Sequence, residues 1–451
     1  MNIAVVHPYL DSRGGSQRYS LSIARGLHSH GVSATVFAYE FHPRRCYPEI
    51  TKGLEVHAVA TVVDGAPTAP SAHVPPFAGV LRSLLRLWRK PAIRSLAAVI
   101  GLDYIAASIR NYLAARKLSD LLYQHRSQFD LVFVHEEPLS VWAAGFLKAA
   151  VPRVSVYWFC YDTVEKWAFQ WETAEARAGR LRKFVLRHTV FRFDHYMIRR
   201  FVDRIAVLDH PMYRRVKRMY HIVPLVRRGG VNLDEPQAMP DKRDDDRIVI
   251  SCVSRFSRPR RIHDLFALFS RLPVDVRERV ELRVHAPISE ADYYDECMRR
   301  FSDVINHHNV HVFTEHFASD VELRAAYVAC DILVYPNENQ TWGHAVLEAM
   351  DNGAVVVVSD GAGVSEVVEE LGGVVYTCGD VDELVAKVTA LLLDAEAMTT
   401  IEKRQRAYIR EHLTWERVCA TYVRDFEAML SAPQRAREES VPGDRTGTLR
   451  A

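Results

Sequence analysis

A single acidic side chain interrupts a short apolar stretch in the second half of the chain. The segment NENQTWGHAVLEAMDNG (337–353) places Glu348 among Val346, Leu347, Ala349 and Met350. An unpaired buried carboxylate costs several kcal/mol, so Glu348 must be hydrogen-bonded or face a polar cleft. The paired hydroxyls of a ribose are natural donors to such a carboxylate. The alternative is a structural glutamate that caps a nearby loop.

Four arginines follow a predicted strand within the segment VSRFSRPRRIHDLFALF (253–269). They are Arg255, Arg258, Arg260 and Arg261. Guanidinium groups are always charged and bind phosphate oxygens in bidentate geometry, so the four would suit a diphosphate. Charge alone also fits a solvated basic loop.

Gly14 and Gly15 lie between the first predicted strand and the first predicted helix. Consecutive glycines at this place can hold a phosphate or simply form a turn. The pair does not belong to a G-x-G-x-x-G pattern. The absence of the G-x-G-x-x-G pattern counts against an NAD-dependent dehydrogenase.

Short apolar runs alternate with helical patterns along most of the chain. In the first half, strands are predicted at residues 2–6, 32–37, 131–134, 154–159 and 205–208. In the second half, they are predicted at residues 248–253, 281–285, 310–313, 332–335, 355–359 and 374–376. The alternation predicts an α/β protein with two parallel sheets. Ligands bind at the carboxyl ends of such strands, which is where the arginines and the Glu348 segment follow.

A charged segment without periodicity, DEPQAMPDKRDDDR (234–247), predicts a linker between two domains. The first domain would span residues 1–233 and the second residues 248–414. A helix is predicted at about residues 415–430, and we expect it to pack back on the first domain. The polar tail, residues 432–451, is expected to be disordered.

The composition is that of a globular, soluble protein. Of the 451 residues, 48% are hydrophobic and 25% charged, and the net charge of +2 gives no reason to expect nucleic acid as a partner. The seven cysteines are dispersed without a C-x-x-C pair, which indicates reduced thiols. The first residues do not form a signal peptide, and no apolar run has transmembrane length. These features favour a cytoplasmic location.

Five segments resemble motifs of the family 4 retaining glycosyltransferases (glycosyl transferases group 1), and they follow one another along the chain in the same order as in that family. QTWGHAVLEAMDNGAVVV, from Gln340, is similar to the family's E-G-F-G-x-x-x-L-E-A-M-A-x-G-x-P-V-V hallmark. The others are GGSQRYSLSIARGL (14–27), RRGGVNLDE (227–235), SRFSRPRR (254–261) and SDGAGVSEVV (359–368). The resemblance implies the GT-B fold, in which two Rossmann-like domains face a deep inter-domain cleft. It also implies a nucleotide-sugar donor, GDP- or UDP-linked, and no cofactor.

The resemblance assigns a role to each motif residue. Glu348 would bind the ribose diol, and Arg255 with Arg260 would neutralise the departing diphosphate. Gly14 and Gly15 would lie against the phosphate or the transferred sugar. The backbone amides that would hold sugar hydroxyls are those of Trp342, Gly343, His344 and Ala345. Fixed cations and helix amides can stabilise a leaving diphosphate without a metal, and no D-x-D motif stands out, so metal independence is predicted.

The chain departs from the family pattern at two catalytic positions. Gln340 replaces the first acid of the family's Glu-x7-Glu pair; it can hydrogen-bond to sugar hydroxyls but carries no charge. Tyr161 stands where the family has a histidine, and tyrosine is a poor base near neutral pH. His135, at the end of another strand, is an alternative residue facing the cleft; a core or surface histidine is the other interpretation.

Two basic stretches in the first half suggest a membrane-proximal acceptor. In VLRSLLRLWRK (80–90), apolar and basic residues fall on different helical faces, a pattern typical of a helix attracted to anionic lipid. A second basic stretch is RLRKFVLRHTVFRF (180–193). A helix that packs on the domain with a solvated basic face is the alternative.

The sequence therefore predicts a hexosyltransferase, a mannosyltransferase or glucosyltransferase of glycan biosynthesis. It would act with retention on a glycan or lipid-linked acceptor, from the cytoplasm or peripherally on the membrane face. The departures Gln340 and Tyr161 keep open a non-catalytic nucleotide-sugar-binding protein of the same fold. A phosphorylase or epimerase is a further alternative, although no motif indicates a pyridoxal phosphate site.

Overall fold

The computed structural model describes residues 1–63, 66–68, 101–136, 138–163, 180–232, 247–317, 319–338 and 342–431. The segment 80–90, Gln340, all but the last residue of the predicted linker, and the tail 432–451 lie outside the described residues. The chain divides into two compact units. The first comprises Met1–Val207, Met212–Arg227 and the chain from Cys419 onward, and the second comprises Leu208–Pro211 and Arg228–Val418.

The first unit is built on an eight-stranded sheet in the order β4-β3-β2-β1-β5-β6-β7-β8. All its strand pairs are parallel except β3 with β4. The strands are β1 Asn2–Leu10, β2 Ser33–Phe41, β3 Glu55–Val63, β4 Ala66–Thr68, β5 Leu131–His135, β6 Ser155–Cys160, β7 Arg204–Val207 and β8 Leu225–Val226. The helices are α1 Gly15–Ser29, α2 Pro48–Thr51, α3 Leu102–Gln124, α4 Leu139–Ala150, α5 Arg180–His188, α6 Val190–Phe201 and α7 His210–Tyr220.

The second unit is built on a six-stranded parallel sheet in the order β11-β10-β9-β12-β13-β14. The strands are β9 Ile248–Val253, β10 Val280–His285, β11 Val310–Phe313, β12 Ile332–Tyr335, β13 Val355–Ser359 and β14 Val374–Tyr376. The helices are α8 Ile262–Arg271, α9 Val274–Arg277, α10 Ala291–Arg300, α11 Ser302–His307, α12 Asp320–Val328, α13 His344–Asp351, α14 Ser365–Glu370, α15 Val381–Leu393 and α16 Ala395–His412.

The last helix, α17 Trp415–Ser431, belongs to both units. From Cys419 onward it contributes to the core of the first unit. Tyr422 and Phe426 are fully buried there, and their rings contact Phe133 of β5 and Tyr157 of β6. None of the helices in the described ranges is long and apolar enough to cross a membrane.

The predicted fold class is confirmed, and each predicted strand overlaps an observed one. Strands β3, β4 and β8 were missed: β3 carries Glu55 and His57 and is mostly half-buried, β4 has three residues and β8 two. The predicted first-domain limit, residue 233, differs from the observed one, because Val231 pairs with Thr414 and follows the second unit.

A buried carboxyl in the first unit makes stability depend on pH. Burial raises the pKa of Asp194 to about 7, although hydrogen bonds from Trp142 (3.0 Å) and Tyr220 (3.5 Å) act in the opposite direction. An unfolded aspartate titrates near about 4. The native state therefore binds the extra proton between these values, and stability falls as pH rises from about 4 to about 7.

We expect Asp194→Asn to remove this slope, since the amide cannot ionise. Urea unfolding at pH 5 and pH 8 measures the difference between wild type and variant. The variant should gain stability relative to wild type at pH 8, and an equal difference at both pH values would contradict the assignment.

Candidate functional site

The loop after β9 separates the four arginines into two pairs. Arg258 contacts Glu296 (2.9 Å) and Asp292 (3.4 Å) of α10. Arg261 donates two hydrogen bonds, of 2.7 and 3.1 Å, to the buried carboxylate of Asp264. These two guanidinium groups are therefore held by carboxylates of the protein.

Arg255 and Arg260 form the second pair. Burial and then the positive charge of Arg260 lower the pKa of Arg255, against an opposing effect of Tyr335. Arg255 is exposed to solvent. The effect of Arg260 on its pKa indicates that the two guanidinium groups lie close enough to repel each other. No carboxylate within the described ranges forms an ion pair with Arg255. A bound anion would relieve this repulsion.

Asn337 holds Arg260 in place by hydrogen bonds. The side chain is fully buried, and with its amide oxygen turned toward Arg260 it accepts hydrogen bonds from Nη1 of Arg260 (3.1 Å) and Oη of Tyr335 (2.7 Å). The Asn337 carbonyl accepts from Oγ of Ser359 at 2.6 Å. This network joins the carboxyl ends of β12 and β13 to the loop after β9.

We expect Asn337→Ala to lower the free energy of unfolding by about 1–3 kcal/mol, because the buried Tyr335 hydroxyl loses its acceptor. The half-buried Asn309, replaced by Ala, is the matched control and should change stability by less than about 0.5 kcal/mol. Equal losses measured by urea unfolding would show that the network adds nothing.

Helix α13 begins beside the same tyrosine. A Cβ atom on Gly343 would lie 3.1 Å from Cε1 of Tyr335 and 3.1 Å from Cγ1 of Val364, so a larger residue would displace one of them. Trp342 is buried, and within the described ranges its indole N–H has no acceptor. The start of α13, with the backbone amides of His344 and Ala345, therefore lies near the Arg260 network.

Glu348 lies on the partly exposed face of α13, four residues after His344. Its carboxylate accepts a hydrogen bond of 3.0 Å from Oη of Tyr327 in α12, a tyrosine that is almost fully buried. The carboxylate is thus both hydrogen-bonded and partly exposed. The structure brings Arg255, Arg260 and the start of α13 together, and places the Glu348 carboxylate one turn along the helix, against Tyr327.

In the first unit, Gly14 and Gly15 begin α1. A Cβ on Gly15 would meet no atom within 4 Å, and one on Gly14 would meet only the side chain of Gln17. Neither glycine has a positive φ. The packing of the protein itself therefore does not require glycine at position 15, and at position 14 a larger residue would displace Gln17; a ligand approaching the backbone would require glycine at both.

His135 and Tyr161 contact each other, with 3.0 Å between Nδ1 of His135 and Oη of Tyr161. Tyr161 also donates to the backbone oxygen of Ser16 at 3.3 Å. His135 has no exposed surface, and burial together with His7 holds its pKa well below the usual value. The interpretation of His135 as a residue that faces the cleft is wrong; it is a neutral core histidine that supports Tyr161.

Several site residues were not predicted. Asn337 and Tyr335 could have been predicted from the sequence, because they are polar residues at the carboxyl end of a buried strand. Tyr327 comes from another helix, so it is not visible in residue spacing. Within the described ranges, no cluster of three or more His, Cys, Asp or Glu side chains is arranged to hold a metal ion.

Comparison with known proteins gives matches in both sequence and fold. Residues 235–408 match the family model "Glycosyl transferases group 1". The sulfoquinovosyl transferase SQD2 of Arabidopsis thaliana is 37% identical over 99 residues, 21% of this chain and 19% of that protein. The GDP-mannose-dependent alpha-mannosyltransferase of Mycolicibacterium smegmatis is 26% identical over 227 residues, 47% of this chain and 53% of that protein.

These alignments thus span about a fifth and about half of the two relatives' lengths. Among solved structures, HepE of Anabaena in complex with UDP and glucose superposes with a TM-score of 0.66 at 15% identity, covering 95% of this chain and 100% of that chain. That likeness concerns the fold. The chain therefore has the GT-B fold, and its residues 235–408 are similar to the glycosyl transferases group 1 family.

Proposed function

We propose that this chain transfers a hexosyl group, with retention, from a nucleotide diphosphate sugar to a glycan or lipid-linked acceptor. The bond between the anomeric carbon and the diphosphate oxygen breaks, and an acceptor hydroxyl oxygen forms the new bond on the same face of the sugar. The departing diphosphate takes up the hydroxyl proton. The observation that supports this reaction is the pair Arg255 and Arg260, of which Arg260 is held near the start of α13 by the buried Asn337.

In this reaction negative charge grows on the leaving diphosphate. Arg255, Arg260 and the positive end of the α13 helix dipole stabilise this charge without reorganising. Glu348 accepts hydrogen bonds from the ribose hydroxyls of the donor. We propose that these groups suffice without a metal, so excess EDTA should leave the rate of transfer unchanged.

The donor is one of two classes. HepE was solved with UDP and glucose, and the mannosyltransferase relative is GDP-mannose-dependent. A thermal-shift panel of UDP, GDP and ADP sugars identifies the donor, because a ligand at 100 times its Kd stabilises the folded state by about 2.7 kcal/mol. Absence of a shift with every nucleotide sugar would contradict the proposal.

Turnover separates an enzyme from a binding protein of the same fold. The preferred donor is incubated with the full chain, and free nucleoside diphosphate is measured with and without a mixture of glycan acceptors. We expect release by wild type and none by Arg260→Ala. Donor binding without any release would favour the non-catalytic alternative.

We further propose that the acceptor lies at an anionic membrane surface. Leu181 and Phe184 of α5 are 54% and 60% exposed, one turn apart, with Arg187 and His188 exposed beside them. Apolar side chains flanked by cations are typical of a helix that binds an anionic lipid interface.

In a flotation assay, wild type should float with vesicles that contain about 30% anionic lipid and should not float with neutral vesicles. This composition approximates the charge density of an anionic leaflet. Leu181→Ser/Phe184→Ser should float several-fold less. Val274→Ser/Val321→Ser, which removes apolar residues of the second unit that are at least as exposed, is the control. Wild type that stays at the bottom of the gradient with anionic vesicles would refute membrane association.

A further inference from the structure

Glu136 has a backbone conformation that non-glycine residues rarely adopt. It directly follows β5, and its φ is 58°, in the left-handed region. A non-glycine residue there is strained, and such strain is concentrated at functional sites. The conformation directs the Glu136 side chain toward the first turn of α1.

Two partners hold the Glu136 carboxylate. Its Oε1 accepts a hydrogen bond from Oγ of Ser16, and lies 3.6 Å from Nε2 of the fully buried His7. Burial alone would raise the pKa of Glu136, but the nearby imidazole of His7 and the hydrogen bond from Ser16 together lower it. The carboxylate is therefore ionised at neutral pH, and its side chain keeps 32% of its surface exposed.

This carboxylate lies beside the first turn of α1, the end at which a helix attracts an anion. The first turn of α1 presents unpaired amides and the positive end of the helix dipole, and no side chain caps it at Gly14. Glu136 supplies the negative charge from within the protein. A phosphate at the same place would meet a like charge, whereas a hydroxyl group can donate a hydrogen bond to the carboxylate.

Buried nitrogen atoms next to Glu136 still have hydrogen-bonding capacity. Within the described ranges, both ring nitrogens of His7 and Nε2 of His135 are buried and have no hydrogen-bond partner. The two histidines lie on the adjacent strands β1 and β5. Neither histidine has any exposed surface, so a ligand meets the carboxylate of Glu136 and the histidines support that carboxylate from the core.

We propose that Glu136, supported by Ser16 and His7, is a binding subsite of the first unit for the neutral hydroxyl groups of a sugar, and not for a phosphate. The inference rests on the proposed function, which supplies a sugar as ligand. The hydroxyls belong either to the transferred hexose or to a sugar of the acceptor.

Calorimetry on the full chain distinguishes these ligands. Wild type and Glu136→Gln are titrated with UDP and GDP, with UDP-glucose and GDP-mannose, and with methyl α-glucoside and methyl α-mannoside. We expect Glu136→Gln to bind the free nucleoside diphosphates within twofold of wild type. Tenfold weaker binding of the nucleotide sugar assigns the subsite to the transferred hexose, and the same loss for a methyl glycoside assigns it to the acceptor.

A phosphate site predicts the opposite sign. If Glu136→Gln binds UDP or GDP tenfold more tightly, or if no sugar ligand changes affinity, the subsite is refuted. Wild type that binds neither nucleotide would contradict the donor and not the subsite, which the methyl glycosides still test. Glu55→Gln, at an exposed Glu–His pair of the same unit, is the control and should change nothing.

A second variant excludes a folding defect. Glu136→Gly adopts the positive φ without strain, so it should keep a Tm no lower than that of Glu136→Gln. Its loss of sugar affinity should equal or exceed that of Glu136→Gln. Normal sugar affinity in Glu136→Gly would overturn the proposal.

Discussion

Arg260→Ala is expected to reduce kcat/KM for the donor by about 10²–10³-fold, since one fixed donor that stabilises developing charge contributes roughly that factor. Asn337 holds the Arg260 side chain beside Arg255. The variant therefore loses the whole charge at this position, and no other side chain is expected to replace it. The measurement is initial-rate kinetics with the nucleotide sugar identified by thermal shift.

Arg258→Ala is the matched control, because Arg258 lies two residues away on the same loop but is paired with Glu296 and Asp292. We expect less than a threefold change in kcat/KM for this variant. Arg260→Lys should recover part of the rate, since it keeps the charge and loses the bidentate geometry. Equal effects of Arg258→Ala and Arg260→Ala would mean that the loop acts only through its net charge.

Glu348→Ala is expected to weaken binding of the free nucleoside diphosphate by about 10–150-fold, equivalent to about 1.5–3 kcal/mol for hydrogen bonds to a charged group. The diphosphate without its sugar is the suitable ligand for calorimetry, because the ribose hydroxyls are the proposed donors to this carboxylate. Glu348→Gln should retain part of the affinity.

Tyr327→Phe tests the orientation of the carboxylate without removing it. It deletes the hydroxyl that donates to Glu348 at 3.0 Å, so affinity should fall by a smaller factor, about three- to tenfold. The exposed Glu369, replaced by Ala, is the control for the loss of an acidic residue from the second unit. Wild-type affinity in Glu348→Ala would place the ribose elsewhere.

The regular part of the fold could be predicted because buried parallel strands are continuous apolar runs. VVVVS at β13 and IVISCV at β9 are unambiguous in this respect, and both were predicted with their observed ends. Strand β3 has its polar Glu55 and His57 on a mostly half-buried surface, so its pattern does not separate it from a loop.

The site could be predicted only as far as the sequence position of a residue determines its neighbours. The strand order places Arg260 and the α13 segment after the carboxyl ends of the neighbouring strands β9 and β12, and residue spacing is sufficient to predict this. The division of four arginines into two pairs depends on the 3-10 turn at Arg258–Arg260 and on Asp264. The His135–Tyr161 contact depends on side-chain rotamers, which residue spacing does not determine.

The distribution of α17 between the two units affects how the protein must be made. Strands β1 to β8 are synthesised early, yet Phe133 and Tyr157 pack against Tyr422 and Phe426, which leave the ribosome about 270 residues later. Until then the nascent first half exposes an apolar surface that a chaperone could recognise. Removing the C-terminal helix would therefore leave the N-terminal half prone to aggregation, even though its own strands are intact.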